Sequence, residues 1–218
     1  MMRNAFGRVF NVVAVSVLLM HGGNAAAAVV ASTFDSDAEG WIVSGDATSG
    51  LPTFVGTGGN PGGHIEADDR VSGGVWYFQA PSKFLGDLSG AYGELLRFDL
   101  KQTGSGSQFS SDDVILNGGG LELTLDTLAN PLPVGEWVSY SVRLDTSEAW
   151  MNGGATATAA DVLFVLSSLD RLRIRGEYIS GSDTGRLDNV SVSVVPIPAA
   201  VYFLGSGVLG LLATRRRG

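Results

Sequence analysis

One stretch decides the fold class of this chain: Val138-Ser139-Tyr140-Ser141-Val142-Arg143-Leu144, in which apolar and polar side chains alternate. Successive side chains of a β-strand point to opposite faces, so this stretch predicts a strand with one face in a core and the other in water. The same alternation recurs at 96–100, 121–125, 171–175 and 190–194. Repeated half-buried strands of this kind are typical of antiparallel sheets.

Clusters of glycine, serine and asparagine separate these runs, and 31 of the 218 residues are glycine. Many short strands between turn clusters favour a jelly roll or β-sandwich over a fold that alternates strands with helices. One short helix is also expected, because Thr158 is a suitable N-cap and Asp161 follows three residues later. Val162, Val165, Leu166 and Leu169 then recur at helical spacing. The sequence therefore predicts an all-β domain with one helix.

Residues 1–28 have the features of a secretory signal peptide. Arg3 and Arg8 supply positive charge, residues 12–20 are apolar, and small residues at the end offer a cleavage site after Ala28. We therefore expect the rest of the chain to be exported.

Residues 195–218 form a second terminal segment. Residues 197–213 carry no charge, and as a helix they would extend about 25 Å, barely enough for a transmembrane segment. Arg215, Arg216 and Arg217 follow as a basic stop, since arginines favour the cytoplasmic side of a membrane. The preceding domain is then expected on the opposite side. An ordinary membrane anchor is one interpretation of this segment.

The segment begins with Val195-Pro196-Ile197-Pro198-Ala199-Ala200. This motif, with the apolar and basic parts behind it, resembles the PEP-CTERM sorting signal in its Val-Pro-Leu-Pro-Ala-like variant, found on exported proteins of Gram-negative bacteria. The resemblance implies export machinery and an exosortase as partners, and transient insertion of the C-terminal helix in the inner membrane. Delivery to the cell surface or the extracellular space would follow. Ile197 departs from the commonest form of the motif, which has Glu there.

Two motifs characterise the middle of the chain: Trp76-Tyr77-Phe78-Gln79-Ala80-Pro81-Ser82-Lys83-Phe84-Leu85-Gly86-Asp87 and Leu187-Asp188-Asn189-Val190. With them, residues 32–194 resemble the laminin B domain, also called laminin domain IV. The resemblance implies a galactose-binding-like jelly roll, related to carbohydrate-binding modules, in an extracellular matrix protein. It implies no catalytic residues. The animal domains interrupt cysteine-rich repeats, whereas this chain contains no cysteine.

Charge and composition exclude several function classes. Without the terminal segments, nine Lys and Arg stand against 22 Asp and Glu, a formal charge of −13. So acidic a domain repels nucleic acid, which we do not expect as a partner. The same part has one histidine, His64, and therefore cannot build a Cys–His pair or a zinc site of several histidines. His64 follows a glycine-rich stretch, which predicts a solvated loop position. We expect no catalytic residue and no organic cofactor.

Two ligand sites are candidates. Calcium takes six to eight oxygen ligands, and Asp35, Asp37 and Asp188 could supply some of them to a structural ion, because jelly rolls often bring the two chain ends together. A sugar ring stacks on an exposed aromatic ring, and Trp150, beside a predicted loop, is the candidate for that role.

The leading interpretation is an exported, non-enzymatic surface or extracellular matrix protein, structural or adhesive in exopolysaccharide or biofilm material. The alternative is a carbohydrate-binding module that holds an extracellular polysaccharide. A secreted polysaccharide-acting hydrolase is a third candidate, and it would need two carboxylates facing one cleft.

Intact-mass analysis of the secreted protein tests the two terminal segments. We expect a mature N-terminus near residue 29 and a C-terminus between Val195 and Ala200, because processing would remove both apolar segments. A secreted form that keeps the arginine tail would show a permanent anchor and contradict the sorting signal.

Overall fold

The computed structural model describes residues 27–69, 73–126, 129–131 and 134–195. The predicted sorting motif beyond Val195, the predicted transmembrane segment 197–213 and nearly all of the predicted signal peptide lie outside these ranges. Within them, no helix has the length and apolar character needed to cross a membrane.

The described ranges contain thirteen β-strands and one α-helix. In chain order these are β1 (Ala28–Ser32), β2 (Ile42–Ser44), β3 (Thr53–Val55), β4 (His64–Asp69), β5 (Tyr77–Gln79), β6 (Leu95–Gly104), β7 (Val114–Gly118), β8 (Leu121–Leu125), β9 (Val138–Arg143), β10 (Met151–Asn152), β11 (Ala155–Thr156), α1 (Ala159–Leu166), β12 (Leu169–Arg175) and β13 (Asp183–Val194).

The strands form two antiparallel sheets that enclose one hydrophobic core. The six-stranded sheet has the order β3-β4-β13-β6-β9, with β1 paired to β13, and the seven-stranded sheet has the order β11-β10-β8-β7-β12-β5-β2. β13 pairs with β6 along most of its length, with β4 near its start and with β1 near its end, so this one strand organises the six-stranded sheet. The predicted all-β sandwich with one short helix is confirmed.

The alternating stretch at 138–144 folds as its pattern predicts. Tyr140, Val142 and Leu144 are buried in the core, while Ser139 and Ser141 face solvent. The stretch forms β9, which pairs with β6 at the edge of the six-stranded sheet. Period-two patterning therefore placed both the strand and its buried face correctly.

Helix α1 also follows the prediction. The Thr158 side chain accepts a hydrogen bond from the backbone N–H of Asp161, and the Asp161 carboxylate accepts one from the N–H of Thr158. This reciprocal capping box satisfies two backbone donors at the start of the helix. Val162, Val165 and Leu166 are buried, so the apolar stripe docks α1 on the sandwich. Leu169, the fourth residue of the predicted stripe, lies beyond the end of the helix and begins β12, where it is also buried.

The block 76–87 closes one end of the core. Strand β5 ends just before Pro81, and a short 3-10 helix, Ser82–Phe84, follows. The Phe84 ring is fully buried and packs edge-on against Trp41, with 5.5 Å between ring centroids. The block thus fills the end of the sandwich with aromatic rings.

Candidate functional site

Trp150 does not offer a sugar-stacking surface. Its side chain is 1% exposed, and its indole N–H donates a hydrogen bond of 3.1 Å to the carbonyl of Arg143. The prediction of an exposed ring at Trp150 is therefore wrong. Trp150 directly precedes β10, and its ring belongs to the main hydrophobic cluster.

Trp137 keeps part of its ring exposed, and it helps to bury His64. The two ring centroids lie 5.5 Å apart in an edge-on arrangement, and the Trp137 indole N–H donates to the carbonyl of Gly58 at 3.0 Å. His64 begins β4 and is 4% exposed, so the prediction of a solvated loop position is wrong. Loss of hydration lowers the pKa of His64 below its usual value.

The candidate calcium residues separate into two groups. Asp188 is fully buried and accepts hydrogen bonds from the backbone N–H groups of Asn60 and Asn189, at 2.6 and 2.7 Å. Burial raises the pKa of Asp188 to about 6, and the negative charges of Asp99 and Asp35 contribute. Asp35 therefore lies near Asp188.

Asp37 has a local role instead, because its carboxylate accepts the backbone N–H of Glu39 at 2.6 Å. In the part of the chain that the structure describes, no three His, Asp or Glu residues are arranged to hold a metal ion. The calcium site stays a prediction, and a melting temperature that is unchanged by calcium at equal ionic strength would exclude it.

The outer face of the seven-stranded sheet carries a continuous row of side chains. Strand pairing places six residues opposite one another from strand to strand: Ile42, Gln79, Arg173, Ile115, Thr124 and Met151. Neighbouring residues along these strands, such as Phe78 and Ile174, are fully buried, so the row faces away from the core. Five of its six side chains are at least partly exposed, whereas Ile115 is covered and only 5% exposed. We call this row the outer strip. Six strands at the usual spacing give it a length of about 24 Å.

Arg173 is held in one orientation at the middle of the outer strip. Its guanidinium lies 5.4 Å from the centroid of the Tyr77 ring and makes a 2.9 Å ion pair with Glu122. One guanidinium nitrogen also donates to the side-chain oxygen of Asn117 at 3.3 Å. A planar donor fixed in this way loses little conformational entropy when it binds a further acceptor.

The chemistry of the outer strip suits a polymer with many hydroxyl groups. Gln79, Arg173 and Thr124 offer hydrogen-bond donors and acceptors, whereas Ile42 and Met151 offer apolar surface between them. The central charge is paired with Glu122, so the strip does not demand a charged ligand. A sugar chain presents the same mixture of hydroxyl groups and apolar C–H faces.

Comparison with known proteins identifies the family to which this domain belongs. The family model for laminin B (domain IV) matches residues 77–200, more than half of the chain. The chain belongs to the laminin B (domain IV) family. Human laminin subunit gamma-2 is 33% identical over 174 residues, which cover 78% of this chain and 14% of the laminin subunit. The gamma-2 subunit of Equus caballus is 38% identical over 127 residues, covering 57% of this chain and 10% of that subunit.

This laminin B domain therefore spans about a tenth of the length of the curated relatives it matches. Among solved structures, the L4b domain of human laminin alpha-2 superposes with a TM-score of 0.59 at 19% identity. The match covers 78% of this chain and 98% of the L4b domain. The likeness confirms the predicted sandwich fold.

A second surface of the laminin B domain is an acidic cleft at one end of the six-stranded sheet. Asp69, Phe109 and Glu177 line it, together with Gly73, Gly74, Ser180 and Gly181, and its volume is about 370 Å³. Asp183 lies directly opposite Asp69 in the pairing of β4 with β13. Asp69, Glu177 and Asp183 are between 2% and 4% exposed. Sequence reasoning missed this cleft.

Burial and mutual repulsion perturb the acids of the cleft. Burial raises the pKa of Glu177 to about 8, with further contributions from the charges of Asp69, Asp46 and Asp183. Burial likewise raises the pKa of Asp183 to about 7, and Asp69 and Asp68 add to the effect. The folded domain therefore binds protons at neutral pH that the unfolded chain does not.

We expect the stability of the domain to fall as the pH rises. An acid whose pKa is raised on folding stabilises the native state below its unfolded pKa, and this contribution is lost as the pH passes through the folded value. For Glu177 the window runs from the ordinary glutamate pKa of 4.5 to the folded-state pKa of about 8. Thermal melts at pH 5.5 and 8.5 should show a loss of about 2 kcal/mol, or roughly 4–8 °C.

Glu177→Gln should flatten this dependence, since the glutamine has no proton to lose. Glu136→Gln removes the same charge from an exposed position and should keep the wild-type slope. Equal slopes in the Glu177→Gln variant and the wild type would contradict the assignment.

Proposed function

We propose that this chain is an exported, non-enzymatic laminin B protein of the cell surface or extracellular matrix. Its role is structural or adhesive, in exopolysaccharide or biofilm material, and the outer strip is the surface that holds the polysaccharide. Family membership supports a matrix role, because the relatives are laminin subunits and a basement membrane proteoglycan of Caenorhabditis elegans.

The fixed guanidinium of Arg173 is the observation that carries the polysaccharide assignment. Tyr77, Glu122 and Asn117 hold it from three directions, so the donor is organised before a ligand arrives. Each hydrogen bond to a sugar hydroxyl contributes only about 1 kcal/mol. A strip of about 24 Å makes several such contacts at once, and adhesion to a polymer then follows from their number.

The route to the surface is part of the proposal. The signal peptide at 1–28 and the sorting motif from Val195 to Ala200 would deliver the domain through the inner membrane to an exosortase. Val195 is the last described residue, and it is 39% exposed. Its backbone N–H donates to the carbonyl of Gly90 at 2.9 Å, so the first residue of the motif is bonded to the folded sandwich. The exposed side chain of Val195 supports access of a processing enzyme to this residue.

Affinity electrophoresis tests the polysaccharide assignment, in gels that contain the matrix polysaccharide of the organism that makes the protein. We expect Arg173→Ala to lower the apparent affinity by about tenfold, since a charge-assisted hydrogen bond contributes roughly 1.5–3 kcal/mol. Arg97→Ala is the matched control, because Arg97 is exposed on the outer face of β6 in the other sheet. It should bind like the wild type.

Thermal melts of both variants establish that each is folded at the temperature of the assay. Equal retardation of the Arg173→Ala variant and the wild type would contradict the role of the outer strip. Equal losses of affinity in the Arg173→Ala and Arg97→Ala variants would show that binding depends only on net charge, and would also contradict this role.

A further inference from the structure

Helix α1 presents an apolar face to solvent. Leu163 and Phe164 are 41% and 50% exposed, although the outer side of a surface helix normally carries charged residues. Six residues in α1 and just beyond it are exposed, and none of them is charged: Ala159, Ala160, Leu163, Phe164, Ser167 and Ser168. We call this surface the helix face. A helix that is apolar on its inner and its outer side is typical of one that is covered on both.

The surroundings of the helix face add little charge. The Phe164 ring lies across the turn between β7 and β8, since a Cβ on Gly119 would lie 2.4 Å from its Cε1. Within α1 the charged residue is Asp161, whose carboxylate is engaged in the capping box. Directly beyond α1, Asp170 and Arg171 are exposed and have opposite charges. The helix face therefore offers apolar contact without a strong field.

The chain leaves the folded domain beside this face. The N–H of Val195 donates to Gly90, which belongs to a short 3-10 helix, Ser89–Ala91, that packs on α1. Just before this short helix, the backbone N–H of Leu88 donates to the carbonyl of Leu166 at 2.8 Å. Val195 therefore lies close to the C-terminal end of α1.

Chain connectivity then limits how far α1 can be from a membrane. The uncharged segment 197–213 begins two residues after Val195. Two residues span at most about 7 Å, so insertion of that segment would keep Val195 and the end of α1 near the lipid. Apolar side chains on a helix at this depth are typical of interfacial helices.

We propose that the helix face rests on the lipid surface of the inner membrane while the C-terminal segment is inserted. This inference rests on the proposed route to the surface, but it assigns a contact that the route does not require. Leu163 and Phe164 would enter the boundary between head groups and acyl chains. A single weak apolar anchor binds a membrane reversibly, so removal of segment 197–213 would leave the helix face unable to retain the domain.

The position of the helix face favours lipid over a second copy of the domain as its cover. A dimer contact has no need to lie where the chain leaves the domain. The acidic cleft is also far from this end, because Asp183 begins β13 and Val194 ends it, about 36 Å away. That distance exceeds the Debye length of about 8 Å, so the acids of the cleft would not repel an anionic lipid surface.

A fluorescent probe on α1 tests the proposal. The chain contains no cysteine, so Ala160→Cys introduces a single attachment point for a nitrobenzoxadiazole dye on the exposed side of the helix. The chain that retains residues 195–218 after removal of the signal peptide is reconstituted in phosphatidylcholine vesicles, with and without nitroxide-labelled lipid. We expect the dye emission to shift to shorter wavelength and the nitroxide lipid to quench it, because the dye would lie at the lipid boundary.

Replacement of the two apolar side chains should reverse both signals. Leu163→Ser combined with Phe164→Ser removes the exposed apolar contacts, so the dye at Ala160→Cys should return to water and lose its quenching. Both positions are exposed, and a thermal melt establishes that the variant is folded.

Val134→Ser is the matched control. Val134 is 42% exposed, as Leu163 is, but it lies towards the other end of the domain. The N–H of Gly135 donates to Gln102, which pairs with Gly185 near the start of β13. This variant should keep the wild-type shift and quenching.

A dye that stays in water in the otherwise wild-type chain would overturn the proposal, as would quenching that survives the double substitution. A dye that is shielded from water but not quenched by nitroxide lipid would assign the helix face to a second copy and overturn it also.

Alkaline carbonate extraction of the same vesicles separates this inference from the proposed function. Protein that carbonate removes is not inserted, and that result would overturn both the proposed route and the lipid contact of α1. Protein that resists extraction while its dye stays in water would overturn the lipid contact alone.

Discussion

The structure depends on one buried charge, the guanidinium of Arg175, whose side chain is completely shielded from water. It stacks on the rings of Phe109 and Tyr178 at 4.6 and 4.3 Å, and an ion pair of 3.7 Å links it to Asp113. It also donates to the backbone carbonyls of Ser111 and Phe109. A buried cation without such partners would cost several kcal/mol, so the segment 109–113 must fold over the end of the seven-stranded sheet.

That constraint shapes both the outer strip and the acidic cleft. The folded segment covers the seven-stranded sheet on one side of the outer strip, and it carries Phe109 to the wall of the acidic cleft. The strip keeps its central cation paired with Glu122, whereas burial raises the pKa of Glu177 and of Asp183 in the cleft to about 8 and about 7. One laminin B sandwich therefore presents a surface with a paired charge and a cleft whose acids hold protons near neutral pH. The family fold supplies the scaffold, and the side chains on it decide what each face can hold.

The sequence predicted those features that are local in the chain. Alternation at 138–144 identified β9 and its buried face, and the pair of Thr158 and Asp161 identified the start of α1. The block 76–87 was identified through its family resemblance, and in the structure β5 ends before Pro81 and Phe84 closes the core. In each case a few neighbouring residues determine the outcome, through strand periodicity, capping or a proline.

Features that depend on distant pairing escaped sequence reasoning. Asp69 and Asp183 meet only through the register of β4 with β13, and His64 is buried by Trp137 from far along the chain. The alternating pattern at 171–175 predicts that Arg175 faces solvent. In the structure the segment 109–113 covers this side chain. Nothing near Trp150 distinguishes an exposed ring from a buried one.

The two ends of the sandwich are neighbours, since Ala28 pairs with Val194. A module that begins and finishes at one point can be spliced into a surface turn of a larger host without disturbing the host's own core. In the two laminin gamma-2 relatives, the matching segment is about a tenth of a much longer chain.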